Sequence, residues 1–220
     1  MIARELISDV IPPVKTSDTI QKVLDRMAEF RVNHMPIVDS ELFIGLISDD
    51  DLIEISNYSD TIAGINLSLN NTSVHQDQHI YDIIRLFDEK RLTLVPVIDG
   101  TRNYLGVISI NSMMEYFASI TSVKEPGGII VLELNNSNNS LAHIAQIVES
   151  NNARILSSYI TSFTDSTKLE ATIKVNRTDI SSIVASFIRY DYMVLATYND
   201  IKADDSISGR YDQLMNYLNL

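Results

Sequence analysis

Residues 20–52, IQKVLDRMAEFRVNHMPIVDSELFIGLISDDDL, decide the reading of this chain, because the same pattern returns over residues 80–113 as IYDIIRLFDEKRLTLVPVIDGTRNYLGVISINSM. Pro36 answers to Pro96 and Asp39 to Asp99. One additional residue then enters the second copy, so that Gly45 answers to Gly106 and Ser48 to Ser109. Proline, aspartate, glycine and serine recurring in one order argue for an internal duplication rather than two accidental segments.

Each copy carries its own structural logic. Thr16, Ser17 and Asp18 are residues that start helices, since their side-chain oxygens accept amide protons of the first turn. Ile20, Val23, Leu24 and Met27 then recur at helical spacing. HMPIVD is a β-rich run, Ser40 and Glu41 make a turn, and FIGLIS (43–48) is a second apolar strand. Ser48 and Asp49 are candidate caps for a further helix beginning over 49–55. In the second copy the corresponding elements are a helix over 80–89, strands over 94–98 and 104–108, a turn between them, and a helix over 111–118. A β-β-α unit of this kind has an apolar face too large to hide alone, so two copies are expected to pack as a pseudo-twofold module.

The strands MPIVD and VPVID, each followed by a turn and then by Gly-[Leu/Val]-Ile-Ser, resemble the cystathionine-β-synthase-type (CBS) motif, and two in tandem resemble a Bateman module. The resemblance covers a little over half of the chain. It implies that clefts between the copies take adenosine nucleotides or related molecules: AMP, ADP, ATP or S-adenosylmethionine. Ser48, with Asp51 three residues on, would place a hydroxyl and a carboxylate where ribose hydroxyls can be bound, near amides able to meet phosphate. Lys15, Thr16, His34, Met35 and Pro36 would line the same cleft, with Lys15, Arg31 and His34 supplying positive charge. Pro96 and Ser109 are the counterparts in the second copy. There Ser112 stands where the ribose-binding aspartate is expected, so the two sites are unequal. The same Ser48, Asp49 and Asp51 also serve as helix-cap and first-turn residues, where a carboxylate favours the positive end of the helix dipole.

KEPGG (124–128) marks a boundary, since proline and two glycines stop the preceding helix. Beyond it the pattern changes. GIIVLEL (128–134) is a strand, NNSNNS (135–140) a turn, LAHIAQIVESN (141–151) a helix, and ARILSSYIT (153–161) and KLEATIKV (168–175) two strands. DISSIVASFIRYD (179–191) is a second helix and YMVLATY (192–198) a last strand. The order βαββαβ gives a ferredoxin-like antiparallel sheet with two helices on one face. This half resembles ACT domains, and a CBS pair followed by an ACT-like domain resembles acetoin-utilisation accessory proteins in architecture. ACT domains that bind amino acids usually carry glycine in the turn after the first strand. NNSNNS has none, which favours a structural or dimerising role over amino-acid sensing. In the tail, Tyr211, Leu214, Met215 and Leu218 recur at helical spacing and predict an amphipathic helix that docks on its own domain or on a second subunit.

The expected organisation is therefore α/β throughout. CBS repeat 1 spans 1–60, CBS repeat 2 spans 61–122, the ACT-like domain 126–200 and the C-terminal helix 203–220. The net charge of −12 disfavours nucleic acid, which needs clustered Lys and Arg. No apolar run is long enough to span a bilayer, so no membrane is expected as a partner. Absence of cysteine excludes disulfides and thiol nucleophiles and, with no secretory-type start, suggests a cytoplasmic setting. His75 and His79 are four apart, but strand and cap positions would keep them off one helical face, and no metal is expected. No Gly-x-x-x-x-Gly-Lys, Gly-x-Ser-x-Gly or Gly-x-Gly-x-x-Gly run is present. A regulatory homodimer that binds a small molecule is the expectation, with no catalytic residues; a purely structural dimerisation module is the alternative.

Overall fold

A computed structural model describes residues 1–53, 55–69, 71–134, 140–163 and 168–199. The expected C-terminal helix and most of the NNSNNS turn lie outside the described residues. The chain divides into two compact units, Met1–Tyr116 and Phe117–Leu220.

In the first unit, helix α1 (Ile20–Phe30) leads into strands β1 (His34–Asp39) and β2 (Leu42–Ser48). Strand β3 (Val74–His75), helix α2 (Ile80–Lys90) and strands β4 (Leu94–Ile98) and β5 (Tyr104–Ser109) repeat the pattern, and helix α3 (Ile110–Ile120) follows. The helices bury the stripe that the spacing predicts: Ile20, Val23 and Met27 on α1, and Ile80, Ile83 and Phe87 on α2. Both end on an arginine in the left-handed region, Arg31 (φ 55°) and Arg91 (φ 52°). Both hairpins are antiparallel and break register at the same place, between Ile37 and Val38 and between Val97 and Ile98. The extra residue of the second copy enlarges its turn. There Asp99 Oδ1 accepts the amides of Thr101 and Asn103, both at 2.8 Å.

Two local expectations need correction. Thr19, not Thr16, Ser17 or Asp18, caps α1, its Oγ1 accepting the Lys22 amide at 3.3 Å; His79 holds the equivalent position before α2. The helix expected from Asp49 is a single 3-10 turn, Asp50–Leu52, whereas its counterpart α3 has eleven residues. After Leu52 the first copy runs into Ser56, Asn57, Ser59 and Asp60, which compete for backbone hydrogen bonds, while INSMMEYFASI keeps an apolar helical pattern.

The copies face one another and exchange arms. The segment preceding the first copy pairs with the second: Ser8 and Val107 exchange amide bonds (2.9 and 3.2 Å), and the Ile80 amide donates to Met1. The segment preceding the second copy pairs with the first: the Leu46 amide donates to Leu69, and that of Ile20 to Asp60. The 3-10 turns Ala3–Glu5 and Ile62–Gly64 are mates under this exchange. At the hairpin tips the Phe43 amide donates to Arg102 (3.0 Å) and the Tyr104 amide to Glu41 (2.8 Å).

The second unit has strands β6 (Gly128–Leu134), β7 (Ile155–Ser162), β8 (Leu169–Val175) and β9 (Met193–Tyr198), with helices α4 (Leu141–Ser150) and α5 (Ser181–Arg189). The sheet order is β7-β8-β6-β9 with every pairing antiparallel, which is the ferredoxin-like arrangement. Alternate residues Ile130, Leu132 and Leu134 of β6 are buried with Ala171 and Ile173 of β8, Ile144 and Val148 of α4, and Ile183 and Phe187 of α5. That period of two is what one covered sheet face requires. No helix among the described residues is long and apolar enough to cross a membrane.

Candidate functional site

The antiparallel register of β1 and β2 sets His34 directly opposite Ser48. Ser48 ends its strand and opens the 3-10 turn. Its Oγ accepts the Asp51 amide at 3.2 Å, while Asp51 Oδ2 accepts the Ser48 amide at 2.9 Å. This is the reciprocal geometry of a capping box. Asp51 Oδ1 reaches into the exchanged arm and accepts the Ser68 amide at 3.2 Å. Partial burial pushes the Asp51 carboxyl upward, but hydrogen bonds from the amides and hydroxyls of Ser48 and Ser68 outweigh it and hold the group below the ordinary aspartate range.

His34 is 8% exposed and faces the other repeat. Its Nδ1 lies 2.9 Å from Thr93 Oγ1 and accepts the Thr93 amide at 3.3 Å. Accepting that N–H requires an unprotonated Nδ1, so the neutral ring carries its proton on Nε2. Burial lowers the His34 pKa, opposed by the charges of Asp49, Asp50 and Asp51. Beside it the Asn33 amide donates to Thr93 Oγ1 at 3.1 Å, and Asn33 Nδ2 donates to Asp49 Oδ2 at 2.7 Å. Asn33 and Thr93 occupy matching positions, immediately before β1 and β4. Each carbonyl receives the amide that follows the second strand of its own hairpin: Asp49 to Asn33 (2.9 Å), Ile110 to Thr93 (3.1 Å).

His34, Ser48 and Asp51 are thus brought together as one cluster. Met35 and Pro36, and Pro96 in the other copy, are buried in the hairpins. Lys15 is exposed, its amide donating to Asp18 Oδ2 at 2.9 Å, and with Thr16 it follows the bridge from Val14 to Ile37 into the turn before α1. Ser109 meets Ser112 through their hydroxyls at 3.0 Å, with the Ser112 amide donating to Ser109 Oγ. The second copy therefore keeps the turn and lacks the carboxylate. A groove of about 430 Å³ runs beside the first-copy cluster, lined by Leu24, Met27, Ala28, Arg31, Val32, Asn33 and Asp49. Ser48 and Asp51 lie outside its lining. Asn33, Asp49, Thr93 and Ser68 were not among the expected site residues. A polar residue at the same place in both copies, Asn33 and Thr93, is a signal from which the first contact could have been found. Nothing local marks Ser68, which arrives through the arm exchange.

His75 and His79 sit in β3 and at the α2 cap. Their Nδ1 atoms face the amides of Asp77 and Tyr81, each at 3.4 Å.

Residues 3–58 and 67–119 match the family model of the CBS domain. An uncharacterized protein of Methanocaldococcus jannaschii is 23% identical over 98 residues, which are 44% of this chain and 33% of that one, so the chain spans about a third of that relative's length. Among solved structures, a CBS domain pair/ACT domain protein of Thermotoga maritima is 24% identical with a TM-score of 0.49, covering 53% of this chain and 96% of the other. A CBS domain pair solved with 5′-methylthioadenosine and S-adenosyl-L-methionine is 21% identical with a TM-score of 0.44, covering 54% of this chain and 96% of the other. Residues 3–58 and 67–119 thus belong to the CBS domain family as a tandem pair, followed here by a unit with ferredoxin-like strand order.

Proposed function

We propose that the CBS pair is a regulatory module that binds an adenosine-containing molecule, such as AMP, ADP, ATP or S-adenosylmethionine, at its first repeat. The observation that carries this reading is the Ser48–Asp51 pair beside His34. Each Asp51 oxygen accepts one backbone amide, and a carboxylate oxygen has further acceptor capacity for a ribose hydroxyl. Lys15 and Arg31 are the exposed cations for a phosphate or carboxylate. The second repeat, with Ser112 for the aspartate, binds more weakly or not at all. The protein works as a homodimer and as a regulator rather than an enzyme. A ligand that prefers one arrangement of the two repeats shifts the population toward it, and only that preference is transmitted.

Thermal-shift and calorimetric titration with the four ligands test this. We expect one of them to stabilise the protein, and Ser48→Ala with Asp51→Asn to abolish the shift. No stabilisation at about millimolar ligand, where even weak binding registers, would sink the proposal. One observation favours a second reading, in which the pair is an assembly module without ligand: Asp51 already has a structural role as a clamp on the Ser48 and Ser68 amides. That reading predicts a stable dimer indifferent to all four ligands.

A further inference from the structure

The open face of the ferredoxin-like sheet, opposite α4 and α5, carries a cavity of about 430 Å³. Ile129, Ser157, Tyr159, Thr172 and Lys174 line it from the sheet, and Thr121 and Val123 from the segment after α3. The register explains why they converge. Ser157 pairs with Lys174 and Tyr159 with Thr172, so alternate residues of β7 and β8 point the same way, as does Ile129, which pairs with Lys174 on β6. The roof is tied down. Ser157 Oγ donates to the Thr121 carbonyl at 3.0 Å, and Lys174 Nζ donates to the Ser122 carbonyl at 2.8 Å.

The composition of the wall is unusual for this molecule. Acids outnumber bases 29 to 17 over the whole chain, yet the cavity is lined by one lysine and no carboxylate. Four hydroxyls accompany the lysine, and Ile129 and Val123 supply an apolar floor and roof. A concave, half-open space with a mainly apolar wall and a few convergent polar groups is a usual form of small-molecule site. A cation would be repelled by Lys174, whereas an anion supplies an acceptor for the ammonium N–H left over after the Ser122 and Val123 carbonyls (2.8 and 3.5 Å).

We propose that this cavity binds a small organic carboxylate with an aliphatic tail. The carboxylate meets the remaining N–H of Lys174 and the Thr172 hydroxyl, and the tail lies between Ile129 and Val123 beside the Tyr159 ring. The site is independent of the nucleotide reading above, since every residue in it belongs to the second unit.

The test is an amide-resolved NMR titration of the full chain with isovalerate, with isoamyl alcohol as the uncharged isostere. We expect saturable shifts at residues 121–123, 129 and 172–174 with isovalerate, and binding of the alcohol about tenfold weaker, as loss of a charge-assisted hydrogen bond implies. Lys174→Met should abolish the response. Because Lys174 also holds the Ser122 carbonyl, Ile129→Trp is the second variant: it fills the cavity, leaves the lysine in place, and should also abolish binding. Absence of saturable shifts, equal affinity for acid and alcohol, or undiminished binding by Ile129→Trp would each overturn the proposal. AMP or S-adenosylmethionine titrations would be unaffected by either variant, so the two sites fail separately.

Discussion

The two CBS repeats share helix, hairpin, bulge and left-handed helix end, yet they differ at the point where the second strand stops. In the first, Ser48 and Asp51 form a reciprocal clamp whose carboxylate also grips Ser68. In the second, Ser109 and Ser112 make one hydroxyl contact, and the chain continues into the eleven-residue α3. A duplicated backbone can thus keep its packing while one copy holds a charged turn and the other extends a helix. The glycines draw a second contrast. Gly106 has φ +140°, and a Cβ there would stand 2.5 Å from Ile7 Cγ2 and 3.1 Å from the Ser8 carbonyl oxygen of the arm. Its mate Gly45 is not among the residues of positive φ.

That contrast can be broken most sharply at Gly106. Gly106→Ala should destabilise the protein by about 3 kcal/mol in urea unfolding, combining a disfavoured φ with a clash against the arm. Gly45→Ala, without that φ strain, should be milder, and equal losses would show that the backbone angle is not what demands glycine at 106. Next, Asp51→Ala should lower stability by about 2 kcal/mol, because two backbone amides lose a charged acceptor, while Ser112→Ala should lower it by about 0.5 kcal/mol. Equal effects would remove the asymmetry between the clamps.

A smaller effect is expected from His34. Its folded pKa lies below the unfolded value of 6.5. The unfolded chain therefore binds the proton first, and stability present above pH 6.5 is lost as pH falls toward the folded pKa. Asp51 acts in the same direction in a separate window, below 3.8. Unfolding midpoints followed by pH should show a His34 step that disappears in His34→Gln; a step that persists would place its origin elsewhere. The smallest change is expected at Tyr104, the mate of Phe43. Its hydroxyl is buried without a hydrogen-bond partner, and burial raises its pKa. Tyr104→Phe should leave stability unchanged or raise it by up to about 1 kcal/mol. A loss would mean that the hydroxyl has a partner in solution.

Much of this was legible in the residues. Apolar spacing placed α1, α2, α4 and α5, an apolar run placed β6, a polar loop separated β7 from β8, and the order βαββαβ already implied the sheet. These follow from local periodicity, which one stretch of chain carries by itself. Where local signals competed, the reading slipped: Thr16, Ser17, Asp18 and Thr19 are all plausible caps, and three-dimensional packing of Ile20 selects the last. The candidate site was half legible. Ser48 and Asp51 could be paired from their spacing, but the Thr93 partner of His34 sits 59 residues away and Ser68 belongs to an arm.

By itself, then, the sequence determined the duplication, the type and order of the elements, and the inequality between Asp51 and Ser112, because each depends on which residues recur at which interval. The tertiary structure alone decided that residues 1–8 complete the second repeat and 60–69 the first, since those arms share almost no residues and their mates are set by which strand edge lies open. It also decided that His34 meets Thr93 and that Lys174 lines a mainly apolar cavity on the sheet face. Such pairings are made by long-range packing, which no periodicity records.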